Sequence, residues 1–60
     1  MKKYEVIPLT DLQTNDNTWT KGFNYEVTET RTKFHLTSNE GQITFQMTLK
    51  PALMENFIII

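Results

Sequence analysis

FNYEVTETRTKFHLTSNEGQITFQMTL, residues 23–49, decides the fold. Its apolar side chains fall on every second position: Phe23, Tyr25 and Val27, then Phe34 and Leu36, then Ile43, Phe45, Met47 and Leu49. A period of two is the signature of a strand with one buried face. The stretch therefore predicts three antiparallel strands, near residues 23–28, 31–37 and 42–49.

Their register follows from parity, because opposite residues of an antiparallel pair share a face and apolar must meet apolar. Between the second and third strands, Leu36 faces Ile43 and Phe34 faces Phe45. Ser38-Asn39-Glu40-Gly41 then forms the turn, with Gly41 at a positive-φ position. Between the first and second, the same rule admits Val27 opposite Thr32, Tyr25 opposite Phe34 and Phe23 opposite Leu36, with Glu29-Thr30 at the tip. That choice also sets Glu26 across from Lys33, an opposite-charge pair.

Outward from this core the pattern weakens. Lys3–Ile7 alternates, with Tyr4 and Val6 on one side, and Pro8 suits an edge or terminating strand. Thr10–Gly22 is polar and reads mainly as loop, although Thr10-x-x-Gln13 has the spacing of a capping box. Lys50–Asn56 places Pro51 near the start of a helical turn that Asn56 can end. Phe57–Ile60 is a short strand, apolar on both faces. The fold class is mainly β, with α+β as the alternative: one domain over residues 1–60, a meander sheet of 4–5 antiparallel strands and a short C-terminal helical turn.

Composition bounds the function. Sixty residues without Cys leave no disulfide and no thiolate zinc site, and the single His35 makes a metal staple unlike the usual four-ligand site. So small a domain leans on tight packing, a partner or self-association, and homodimerisation is expected. Six basic against seven acidic residues give a net charge of −1, so no long-range field draws polyanions or anionic membranes. The longest apolar run, Phe57–Ile60, is far short of the roughly 20 residues that span a bilayer. Met1-Lys2-Lys3 is not followed by the apolar stretch of a signal peptide, and with the lack of Cys this points to the cytoplasm.

Catalytic constellations are scarce. Ser38 sits in a turn, His35 in mid-strand, the carboxylates Asp11, Asp16, Glu26, Glu29, Glu40 and Glu55 are scattered, and two glycines make no phosphate loop. The sequence points to no catalytic residues, no cofactor, no metal, no small-molecule substrate and no membrane partner. It reads instead as a non-enzymatic interaction module that binds a protein partner or itself through a sheet edge or the apolar C-terminal segment. Small Cys-free domains of this kind are common among phage and prophage gene products, an association of size and composition alone.

The candidate partner-binding residues are Trp19, Phe57, Ile58 and Ile60. Trp19 is either a binding hot spot in a polar loop or a large apolar group recruited over the sheet edge, and a small core gives the second role the advantage. Phe57–Ile60 is expected to be buried, inside one chain or between two, because an exposed apolar edge invites aggregation. The alternative function is nucleic-acid binding by Arg31, Lys33 and His35, which the expected register places along one strand on the face opposite the core. The sheet aromatics point the other way, so that face lacks stacking platforms.

Overall fold

The computed structural model describes residues 1–60 as a five-stranded antiparallel sheet covered on one face by two segments of the same chain. In chain order the elements are β1 (Lys2–Pro8), β2 (Leu12–Gln13), β3 (Thr18–Trp19), β4 (Tyr25–Glu29), β5 (Lys33–Ser38) and β6 (Gly41–Gln46). A 3-10 turn (Met47–Leu49), helix α1 (Lys50–Met54) and β7 (Phe57–Ile59) follow. The sheet order is β6-β5-β4-β1-β7, and β2 and β3 pair separately as a short ribbon. The mainly β class is thus as the alternation requires.

Between β5 and β6 the register is the expected one, with Leu36 opposite Ile43 and Phe34 opposite Phe45. The Phe34 and Phe45 rings stack with centroids 5.3 Å apart. Gly41 has φ +137°, as the turn requires. The β4–β5 register differs from the expected one: Val27 faces Leu36, not Thr32, and Glu29 faces Phe34. Parity survives this shift, which is why apolar contrast cannot detect it. Thr30 closes a two-residue turn at Arg31–Thr32: its amide donates to the Lys33 carbonyl at 2.8 Å, and its hydroxyl accepts from the Lys33 amide at 3.2 Å. The expected Glu26–Lys33 pair is therefore absent, and Glu26 lies 3.5 Å from Lys3 instead. Phe23, expected in the core, falls before the start of β4 and is exposed.

Three further boundaries are corrected. β1 ends at Pro8 as expected, but it is an interior strand and not an edge, because β7 returns to pair along its far side. Pro8 fits there since Leu9 donates its amide to Asn56 and Glu5 accepts from Ile60, so odd positions of β1 bond toward β7 and even positions toward β4. The missing N–H of Pro8 then points past the end of β4, where no ladder bond is lost. Secondly, β6 stops at Gln46, and Met47–Leu49 winds into a 3-10 turn anchored by Met47 N–H donating to Thr32 O at 2.9 Å. Thirdly, no helical turn forms at Thr10–Gln13, where the chain makes β2.

The core joins Val6, Tyr25, Val27, Phe34, Leu36 and Phe57 on the inner sheet face to Trp19 from the β2–β3 ribbon. Met47, Leu53 and Met54 cover the other part of that face as the chain crosses from one sheet edge to the other. The ribbon is fastened to the β5–β6 turn. Glu40 accepts from the Thr18 amide at 2.6 Å and the Thr18 hydroxyl at 2.7 Å, and Asn39 donates its amide to Thr18 O at 3.0 Å. No helix is long and apolar enough to cross a membrane.

Candidate functional site

The sheet has two edges, β6 and β7, and they differ in what they present. β7 pairs only with β1, through Val6–Ile59, Ile7–Ile58 and Pro8–Phe57. The alternation fixed by the Leu9–Asn56 and Ile60–Glu5 bonds means that Ile58 and Ile60 bond inward to β1. The N–H and C=O groups of Phe57 and Ile59 consequently point outward from the sheet. Beside this open ladder Ile58, Ile59 and Ile60 are 54%, 56% and 63% exposed. Ile58 lies on the outer sheet face next to half-buried Ile7, whereas Ile59 shares the inner face with Val6. No charge, proline or glycine interrupts residues 57–60, although edge strands commonly carry such devices against pairing. On β6 the outward backbone comes with Gln42, Thr44 and Gln46, while Ile43 and Phe45 are half-buried.

The expected partner residues divide accordingly. Ile58 and Ile60 are on the surface and together. Phe57 is 7% exposed and packs edge-on against Trp19, ring centroids 6.2 Å apart. Trp19 itself is 3% exposed and donates its indole N–H to Thr37 O at 2.9 Å. Both aromatics thus build the core under β7 and offer no surface to a partner. The expectation that the whole Phe57–Ile60 run is buried holds within the chain for Phe57 alone.

Arg31, Lys33 and His35 are not brought into one strand. Arg31 occupies the β4–β5 turn, a consequence of the shifted register, while Lys33 and His35 lie on the outer face of β5. His35 Nδ1 is 2.7 Å from Thr44 Oγ1 across the β5–β6 pair. The same face carries Lys3, Glu5 and Glu26, with Glu5 directly opposite Glu26, so its charges are balanced and not basic. Asn24 donates to Glu5 at 3.2 Å and Lys3 approaches Glu26, which offsets part of that like-charge contact.

A polar cluster that sequence spacing does not reveal lies at the inner-face end of β4. Glu29 accepts from Tyr4 Oη at 2.5 Å and from Lys50 Nζ at 2.6 Å, and Lys50 and Lys2 lie 5.7 and 5.6 Å from the Tyr4 ring centroid. The Lys50 ammonium, then the Tyr4 hydroxyl, hold the Glu29 carboxyl below its usual range. Burial, followed by the bond to Glu29, raises the Tyr4 phenol, and Glu29 raises Lys50. All three neighbours are consumed by one another, and the effect is to clamp the start of α1 to β1 and β4. Near the other end of α1, an open apolar pocket of about 240 Å³ is lined by Phe45, Leu49, Ala52, Leu53 and Asn56.

The edge of β7 thus combines unpaired backbone with three exposed isoleucines in one continuous strand. Comparison of the chain with protein-family models, curated proteins and solved structures finds no match.

Proposed function

We propose that this domain is a non-enzymatic interaction module that recruits a protein strand along the edge of β7, acting in the cytoplasm. The observation that carries this reading is the coincidence on β7 of outward backbone groups from Phe57 and Ile59 with the exposed Ile58, Ile59 and Ile60. Strand addition takes its affinity from main-chain hydrogen bonds and its specificity from the side chains beside them. The cytoplasmic setting is supported by the absence of Cys.

The test is recovery of partners from the native host by wild type and by Ile58→Asp. Ile58 projects from the outer face and is half exposed, so the substitution leaves the core intact, which emission from buried Trp19 verifies. Partners retained by wild type and lost by the variant are the expected outcome. Equal recovery by both removes β7 as the docking edge.

A further inference from the structure

We infer that the strand recruited by β7 is the β7 of a second copy of this chain, paired antiparallel about a two-fold axis at Ile58. The inference rests on β7 being the docking edge and adds the identity and register of the occupant. Three features support a second copy.

The first is the backbone. The outward groups belong to Phe57 and Ile59, and Ile58 lies between them with its own groups turned inward. Antiparallel pairing centred on Ile58 sets Phe57 of each copy against Ile59 of the other. Each of these two pairs exchanges an N–H and a C=O, so every outward group of residues 57–59 finds a partner. Ile58 meets its own counterpart as a non-hydrogen-bonded pair, the closer of the two pair types in an antiparallel ladder.

The second is charge. A two-fold interface meets itself, so any charge near the axis opposes a like charge. Residues 56–60 carry no charged side chain, and Glu55 falls outside the overlapped segment. Self-pairing therefore sets no like-charged side chains against each other within the overlap.

The third is the apolar surface. In this register exposed Ile59 gains the second copy's Phe57 position beside it on the inner face, and Ile58 gains its counterpart on the outer face, beside Ile7. Along its outer face β6 carries the polar Gln42, Thr44 and Gln46 in place of such cover. A contact built on three strand residues is smaller than the roughly 1,200 Å² of a standard interface, so the dimer is concentration-dependent.

The experiment is sedimentation equilibrium over a concentration series reaching roughly 1 mM. It compares wild type, Ile58→Asp, and a synthetic full-length chain N-methylated at Ile59. The methyl group removes an outward donor without touching the β1 ladder, and Trp19 emission and circular dichroism check that each form is folded. The expected result is a twofold rise in wild-type apparent mass with concentration, absent in both altered chains. A wild type monomeric throughout overturns self-pairing; if Ile58→Asp still loses a host partner, the docking-edge reading stands without it. A dimer that persists in both altered chains overturns the assignment to β7.

Discussion

Glu29 sits on the inner face of β4 with its carboxylate between Tyr4 and Lys50. Its folded carboxyl titrates below the ordinary 4.5, so its stabilising contribution is fully present above that value and is lost as pH falls through the lower folded one. Lys50 and Tyr4 are raised above 10.5 and 10.0 respectively. Their contributions are present below those values and are lost as pH rises through the folded ones. Glu29→Gln should therefore cost about 1 to 3 kcal/mol near pH 7 and flatten both limbs of the stability profile, measured by urea unfolding across pH. Trp19→Phe leaves Thr37 O without its indole donor and should cost about 1 to 3 kcal/mol by the same assay. Neither role is legible locally. Tyr4, Glu29 and Lys50 are far apart in the chain, and they meet only because β1 lies beside β4 and α1 returns over both.

At the scale of elements, legibility depended on what parity can and cannot decide. The β5–β6 hairpin was readable in full because a short turn with Gly41 leaves one register that joins Phe34 to Phe45 and Leu36 to Ile43. The β4–β5 hairpin was readable only to within an even shift, and Thr30 closing the turn on Lys33 selects the register that apolar spacing leaves open. That shift moved Arg31 into the turn and Phe23 out of the core, so the basic strand face dissolved with it. Gly41→Ala meets no atom within 4 Å, so its cost is the strained backbone alone, about 1 to 3 kcal/mol by thermal unfolding. Glu5→Gln keeps an acceptor for Asn24 and removes the like-charge contact with Glu26. It should raise stability by about 0.2 to 1 kcal/mol, read as a higher urea midpoint.

Across the whole molecule, the cover over the inner face was the part hidden from sequence. It comes from both the Leu12–Trp19 ribbon and the Met47–Met54 segment, because crossing from β6 to the far side of β1 carries the chain over the core. The polar ribbon looked like loop since its strands are two residues each and its anchors, Thr18 to Glu40 and Asn39, are long-range hydrogen bonds. With both covers drawn from one chain, most of the inner face is closed, and the edge at β7 carries the exposed isoleucines proposed for association. Phe57–Ile60 is the segment where intra- and intermolecular roles compete, and the alternation of its backbone groups separates them: Ile58 and Ile60 bond within the chain, Phe57 and Ile59 face out. Amide hydrogen exchange of these four residues, followed by NMR at low and high protein concentration, tests that division directly. Protection of Ile58 and Ile60 at both concentrations, with Phe57 and Ile59 protected only at the higher, is the predicted result. Phe57 and Ile59 amides that remain unprotected at high concentration, or a β7 open throughout, would contradict it.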